Sequence, residues 1–117
     1  MVVRSPLTDA DLDRLFRALA DATRRDIVAR LFAGQPASVS TLASRYDMSF
    51  AAVQKHVAVL EEAGLVTKRA QGRERIVRGN PERLARARQL LVQLEDLWRG
   101  RFSQLDAVLA DPSPSKE

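Results

Sequence analysis

The stretch Ser49-Phe50-Ala51-Ala52-Val53-Gln54-Lys55-His56-Val57-Ala58-Val59-Leu60-Glu61-Glu62-Ala63-Gly64-Leu65-Val66 contains one helix and the reason it stops. Val53, Val57 and Leu60 fall at i, i+4 and i+7, so one face of the helix is apolar and turned inward. The opposite face carries Gln54 and Lys55, side chains whose donors and acceptors suit base edges and phosphates. Ser49 stands where an N-cap belongs, with no Glu three residues on to complete a capping box. Gly64 follows the last periodic residue, as glycine does after a helix C-terminus.

Beyond Gly64 the pattern changes. Leu65 to Ala70 and Arg73 to Arg78 read as two strands joined at Gln71-Gly72, a short hairpin with glycine at its tip. Gly79-Asn80-Pro81 breaks the hairpin, and Pro81 suits the first turn of a new helix.

Upstream, Thr8 caps a first helix whose Asp9 and Asp11 complement the positive end of the helix dipole. Leu7 and Leu12 occupy the positions of a hydrophobic staple. Leu12, Leu15, Phe16, Leu19 and Ala20 form its apolar stripe. Asp21 caps a second helix that runs to about Phe32, before Gly34 and Pro36, with Ile27, Val28 and Leu31 inward and Arg24, Arg25 and Arg30 outward. Ser38 opens a short third helix with Val39, Leu42 and Ala43 inward, and Asp47-Met48 makes a turn of about three residues into the helix quoted above. The expected fold is mainly α with a small β-hairpin wing, in the order α-α-α-α-β-β-α: a winged helix-turn-helix.

The 117 residues suit one domain, placed at 1–110, and the proline-broken polar tail 111–117 reads as disordered. No apolar run approaches the length of a membrane span, and the first residues lack the apolar core of a signal peptide, so a cytoplasmic protein is expected. The chain has no cysteine and one histidine, which removes disulfides, thiolate metal sites and His-rich zinc sites. No metal or cofactor is expected. No Ser/His/Asp arrangement or phosphate-cradling glycine loop points to an enzyme.

The net charge of +4 is unevenly spread. Lys68, Arg69, Arg73, Arg75, Arg78, Arg83, Arg86 and Arg88 face only Glu74 and Glu82 over residues 68–88, a local excess of +6, while charges in the rest of the chain roughly cancel one another. A basic patch beside a helix-turn-helix is the electrostatic footprint of phosphate binding. Ser49, Phe50, Ala51, Gln54, Lys55 and His56 are accordingly the expected DNA contacts of helix 49–63, with Lys68, Gln71, Arg73 and Arg75 on the wing. Phe50 suits thymine methyl groups, and equally suits packing against the third helix. His56 suits a phosphate contact, and equally a half-buried hydrogen-bonded position. Arg73 suits a narrow minor groove.

The last helix is long, from about Pro81 to Ala110, or roughly 45 Å. Leu84, Ala87, Leu91, Leu94, Trp98, Leu105 and Val108 hold a near-heptad stripe, widened by Leu90, Leu97, Phe102 and Leu109. It presents more apolar surface than so small a domain covers from within, and a second copy of the chain is the simplest cover.

Two separated segments resemble one known family. Leu15-Phe16-Arg17-Ala18-Leu19-Ala20-Asp21-Ala22-Thr23-Arg24-Arg25-Asp26-Ile27-Val28 is similar to the opening signature of ArsR-type bacterial repressors. Leu42-Ala43, Met48-Ser49, Val53-Gln54-Lys55-His56-Val57 and Leu60-Glu61-Glu62-Ala63-Gly64-Leu65-Val66 resemble their helix-turn-helix. The resemblance spans roughly residues 12 to 105. It implies a homodimer formed through the first and last helices, with Leu12, Phe16, Leu91, Leu94, Trp98 and Leu105 at the interface. It also implies a repressor that binds an imperfect inverted repeat in double-stranded DNA, often its own promoter, with helix 49–63 in the major groove and wing 68–78 on the adjacent minor groove. The chain departs from the metal-sensing members: Thr41-Leu42-Ala43-Ser44-Arg45 carries no thiol and residues 81–117 carry no histidine. It resembles the cysteine-free branch, and the sequence names no small-molecule effector. The competing reading is a winged helix that docks proteins, with Phe50, Ala51 and Ala52 as an apolar patch.

Overall fold

The computed structural model describes residues 7–110, apart from the side chains of Phe102 and Ala110. The tail 111–117, expected to be disordered, lies outside the described residues. The helices are α1 (Asp9–Ala18), α2 (Ala22–Ala33), α3 (Val39–Ala43), α4 (Phe50–Glu62) and α5 (Pro81–Ala110), and the strands are β1 (Ala37–Ser38), β2 (Val66–Gln71) and β3 (Glu74–Gly79). No helix among the described residues is long and apolar enough to cross a membrane.

The helix starts follow their capping chemistry. Thr8 Oγ1 accepts from the Asp11 backbone N–H at 3.0 Å, and Asp11 Oδ2 accepts from the Thr8 N–H at 3.0 Å, a reciprocal capping box made with Asp in place of Glu. Those bonds hold the Asp11 carboxyl below the usual carboxylate range. Asp21 caps α2 through the Arg24 N–H, Ser38 caps α3 through the Thr41 N–H, and Ser49 caps α4 through the Ala52 N–H.

The expected short turn between α3 and α4 is longer. Helix α3 stops at Ala43, and the chain winds on through tighter bonds, Arg45 N–H to the Leu42 carbonyl and Tyr46 N–H to the Ala43 carbonyl. Ser44 Oγ donates to the Thr41 carbonyl at 2.7 Å, which satisfies one of the last acceptors of the helix. Tyr46, on this connection, donates to Asp26 Oδ2 at 2.6 Å, and Arg30 Nε donates to the same oxygen at 2.7 Å. The Tyr46 hydroxyl is pushed up to about 12 by burial and by the Asp26 carboxylate. This cluster, with Tyr46 half-buried, fastens the turn of the helix-turn-helix to α2.

A third strand was not anticipated. β1 pairs antiparallel with β3, Ala37 opposite Val77 and Ser38 opposite Ile76, giving the sheet order β1-β3-β2. Two residues leave no alternation to read. The hairpin is also displaced by one residue from the expected strands. Val66 pairs with Gly79 and Gln71 with Glu74, so Gly72 and Arg73 form the turn. Gly72 has φ +65 while Arg73 does not enter the positive region, as a type II′ hairpin turn requires.

The core of residues up to Arg86 is contributed by α1, α2, α3, α4, the α4–β2 connection, β2 and β3. Leu15, Ile27, Leu42, Val53, Val57, Leu60, Leu65, Val66 and Val77 are fully buried. Helix α4 packs against α1, α2, α3 and β2, so its inner face is the hub of this unit. The unit from Ala87 onward continues α5, and from Leu91 its described residues are exposed.

Gly64 ends α4 with φ +78. Its N–H bonds the Glu61 carbonyl at 2.9 Å, and the Leu65 N–H bonds the Leu60 carbonyl at 3.0 Å, a complete Schellman motif. A Cβ at Gly64 would stand 2.7 Å from Arg83 Nε, a flexible side chain that can shift. The cost of a side chain here is therefore mainly backbone strain. We expect Gly64→Ala to lower unfolding stability by about 1–2 kcal/mol, measured by urea denaturation. Unchanged stability would refute the assigned left-handed cap.

Candidate nucleic-acid interface

Burial of Val53, Val57 and Leu60 leaves Phe50, Ala51, Gln54 and Lys55 on the open side of α4. Phe50 is 46% exposed, so it does not tuck into the core against α3. Phe50 and Gln54 line a groove of about 350 Å³ with Lys68, Arg73, Glu74 and Arg75 of the wing and Ser38, Val39 and Ser40 at the start of α3. Five residues expected from sequence to contact DNA thus meet in one place: Phe50, Gln54, Lys68, Arg73 and Arg75. Ala51 and Lys55 lie beside the groove on the exposed surface of α4, and Gln71 is exposed next to the wing turn. Ser49 supplies the helix cap.

The groove is basic but graded. Lys68 is half-buried and pairs with Glu61 of α4 at 3.8 Å, which ties the wing to that helix. Glu74 stands next to Arg73 and Arg75 and offsets part of their charge. Ser38 is nearly buried; its Oγ accepts the Thr41 N–H at 3.0 Å and donates to Thr41 Oγ1 at 2.9 Å. Ser38, Val39 and Ser40 escaped sequence reasoning because the α3 start reads simply as a capped helix. Only the β1–β3 pairing brings it beside the wing.

His56 is placed elsewhere. Two residues past Gln54, it is rotated about 200° around the helix axis. Its Nδ1 lies 3.3 Å from Arg24 Nη1 and 3.9 Å from Asp21 Oδ2, with the side chain 21% exposed. Arg24 is correspondingly not the outward-facing residue expected from sequence. It is half-buried, its Nε donating to the Ala18 carbonyl at 2.7 Å and its Nη2 to the Arg17 carbonyl at 3.3 Å. A buried-side position for an arginine has no periodic signature, because the side chain reaches carbonyls that the α1 terminus leaves open. The Asp21 carboxyl is held below its ordinary range, first by the Arg24 backbone N–H and further by the charge of the Arg24 guanidinium.

On α1, Leu12 and Phe16 are half-buried. Along α5, Leu91, Leu94, Leu97, Trp98, Leu105, Val108 and Leu109 are each at least half exposed. Trp98, Arg101, Gln104, Leu105 and Val108 border an open concavity of about 490 Å³. Glu95 and Arg99 pair at 3.1 Å on the same helix.

Comparison with known proteins agrees with this architecture. A helix-turn-helix domain family model matches residues 19–69. An HTH-type transcriptional regulator of Mycobacterium tuberculosis, Rv2034, is 42% identical over 86 residues, covering 74% of this chain and 77% of the relative. Among solved structures, an ArsR-like transcriptional regulator from Rhodococcus sp. RHA1 superposes with a TM-score of 0.70 at 32% identity, covering 85% of this chain and 92% of the other. A homodimeric winged helix-turn-helix DNA-binding domain from Mycobacterium bovis, solved by NMR, gives a TM-score of 0.61 at 26% identity over 82% of this chain and 91% of the other. The chain belongs to the ArsR-type family of winged helix-turn-helix transcriptional regulators.

Proposed function

We propose that this chain is a homodimeric, sequence-specific DNA-binding repressor. The observation that carries the reading is the groove shared by Phe50, Gln54, Lys68, Arg73 and Arg75, which sets a helix face with base-reading side chains beside a cationic wing. In this reading α4 enters the major groove. Gln54 bonds adenine N6 and N7, Lys55 reaches guanine or phosphate, and Phe50 and Ala51 lie against bases at the helix start. The N–H groups near Ser49 meet a backbone phosphate. Lys68, Gln71, Arg73 and Arg75 follow the adjacent strand, Arg73 in the minor groove.

A second copy covers the exposed leucines and Trp98 of α5, with Leu12 and Phe16 of α1 joining the interface. The related M. bovis domain is a homodimer. A two-fold axis then presents two reading helices to half-sites about one helical turn apart, near 34 Å, which is why an imperfect inverted repeat is the expected operator. The operator, selected from random duplexes or taken from DNA upstream of the chain's own gene, is the tool for each test.

Gln54→Ala is expected to lower operator affinity by about 1–3 kcal/mol and to relax preference at one base pair. Arg73→Ala is expected to weaken binding to all sequences and to reduce the slope of log affinity against log salt by about 1. Fluorescence anisotropy at several salt concentrations measures both. Normal binding by both variants would refute this docking, and affinity indifferent to salt would favour a protein-docking winged helix.

Leu94→Glu is expected to yield a folded monomer in analytical ultracentrifugation and to weaken binding to the full inverted repeat at least tenfold, while single half-sites are bound about as before. A dimer that persists would place the interface away from the middle of α5.

A further inference from the structure

The single histidine of the chain sits on the reading helix yet faces away from the reading groove. A guanidinium has donors and no acceptor. Arg24 Nη1 lies 3.3 Å from His56 Nδ1, and a bond between them needs the lone pair of that nitrogen, so it is a bond of the neutral ring with its proton on Nε2. The same guanidinium holds the Ala18 and Arg17 carbonyls at the end of α1, and the Arg24 backbone is held by the α2 cap Asp21. One arginine thereby joins the end of α1, the first turn of α2 and the middle of α4.

We propose that His56 is a positioning residue, whose neutral ring, bonded to Arg24, sets the reading helix against the α1–α2 junction, so that protonation of the ring weakens operator binding. This rests on the DNA-reading function proposed above. A protonated Nδ1 cannot accept from Arg24; it becomes a donor, and its available acceptor is Asp21 Oδ2, now 3.9 Å away. Exchange of partner from Arg24 to Asp21 moves the attachment point of α4. Asp21 remains charged throughout the range in which histidine titrates, since its carboxyl is held below the ordinary range.

The other charges around α4 do not reproduce this behaviour. Residues one turn away on α4, Ala52, Val53, Val59 and Leu60, are uncharged, and α3 carries no charged residue. Arg14 and Arg17 of α1 face Val59 and Glu62, further along α4. Lys68 of β2 is engaged by Glu61. Arginine and lysine keep their charge, and carboxylates theirs, between pH 8 and 5.5.

The direction of the pH effect separates positioning from direct contact. A histidine that touches a phosphate binds DNA better when protonated; the ring held by Arg24 does the opposite. With tag-free protein and a selected operator at constant ionic strength, affinity should fall about five- to tenfold from pH 8 to pH 5.5, the worth of one hydrogen bond. His56→Gln, whose amide oxygen accepts from Arg24 and does not titrate, should bind within about threefold of the unmodified protein at pH 8 and show no such fall. A flat profile for the unmodified protein, a rise in acid, or an equal fall in the variant would overturn the proposal. Nitrogen-15 NMR of the one imidazole in the free protein decides the geometry without DNA. The Nε2–H form at pH 8 is expected, and an Nδ1–H form would overturn it. Failure of any duplex to be preferred would instead overturn the DNA-reading function, while the NMR result still judged the Arg24–His56 bond.

Discussion

Everything that α4 can offer to a ligand depends on how far it is rotated about its own axis, and burial of Val53, Val57 and Leu60 fixes that rotation. All three are fully excluded from solvent, and the elements around them close the core from four directions. At 100° per residue, that choice alone sends Gln54 and Lys55 outward, and swings His56 toward α2. A polar residue at any of the three positions would loosen the rotation as well as the core, because a buried group without a partner costs free energy. Packing and recognition are therefore one constraint seen from two sides of the same helix.

The wing obtains its position from the end of that helix. The Schellman turn at Gly64 reverses the chain directly into β2, and the Lys68–Glu61 pair reaches back across the reversal. That pair is half-screened from solvent, so its energetic contribution is modest; its effect is to orient a lysine between the strand and the helix. Arg73 and Arg75, beyond it, are left free of such anchoring carboxylates on α4 and extend the positive surface past the helix. Glu74 between them offsets part of that charge.

Elements defined by their own local chemistry were legible in the sequence. Thr8, Asp21, Ser38 and Ser49 each announce a cap, and each makes the expected bond. The apolar periods of α2 and α4 placed the core residues on the right faces, while the α1 stripe caught Leu15, missed the buried Ala18 and included the exposed Ala20. What was missed depends on distant partners. β1 exists only because β3 passes beside it. Leu65 reads as the first strand residue, but its N–H is taken by the Leu60 carbonyl, so pairing begins one residue later. Arg24 reads as a solvent-facing arginine, whereas open carbonyls at the end of α1 and the ring of His56 draw it inward. In the groove beside α4, residue types singled out Phe50, Gln54 and the wing cations, whereas the place of Ser38, Val39 and Ser40 there required the fold.

The closure at the base of the hairpin has a consequence for how this protein can change. Asn80 N–H bonds the Leu65 carbonyl at 2.8 Å, and Asn80 Nδ2 bonds the Gly64 carbonyl at 2.9 Å, while Asn80 Oδ1 accepts the Arg83 N–H at the start of α5. The two ends of the wing are therefore held together independently of the strands between them. Extra residues inserted two on each strand would lengthen the hairpin while keeping its inward and outward faces. They would disturb neither the exit of α4 nor the entry of α5. Gly72, whose surroundings are open, leaves room at the tip for such growth. The length of the wing is thus a property that insertion can alter by itself, with the helix core carried along unchanged.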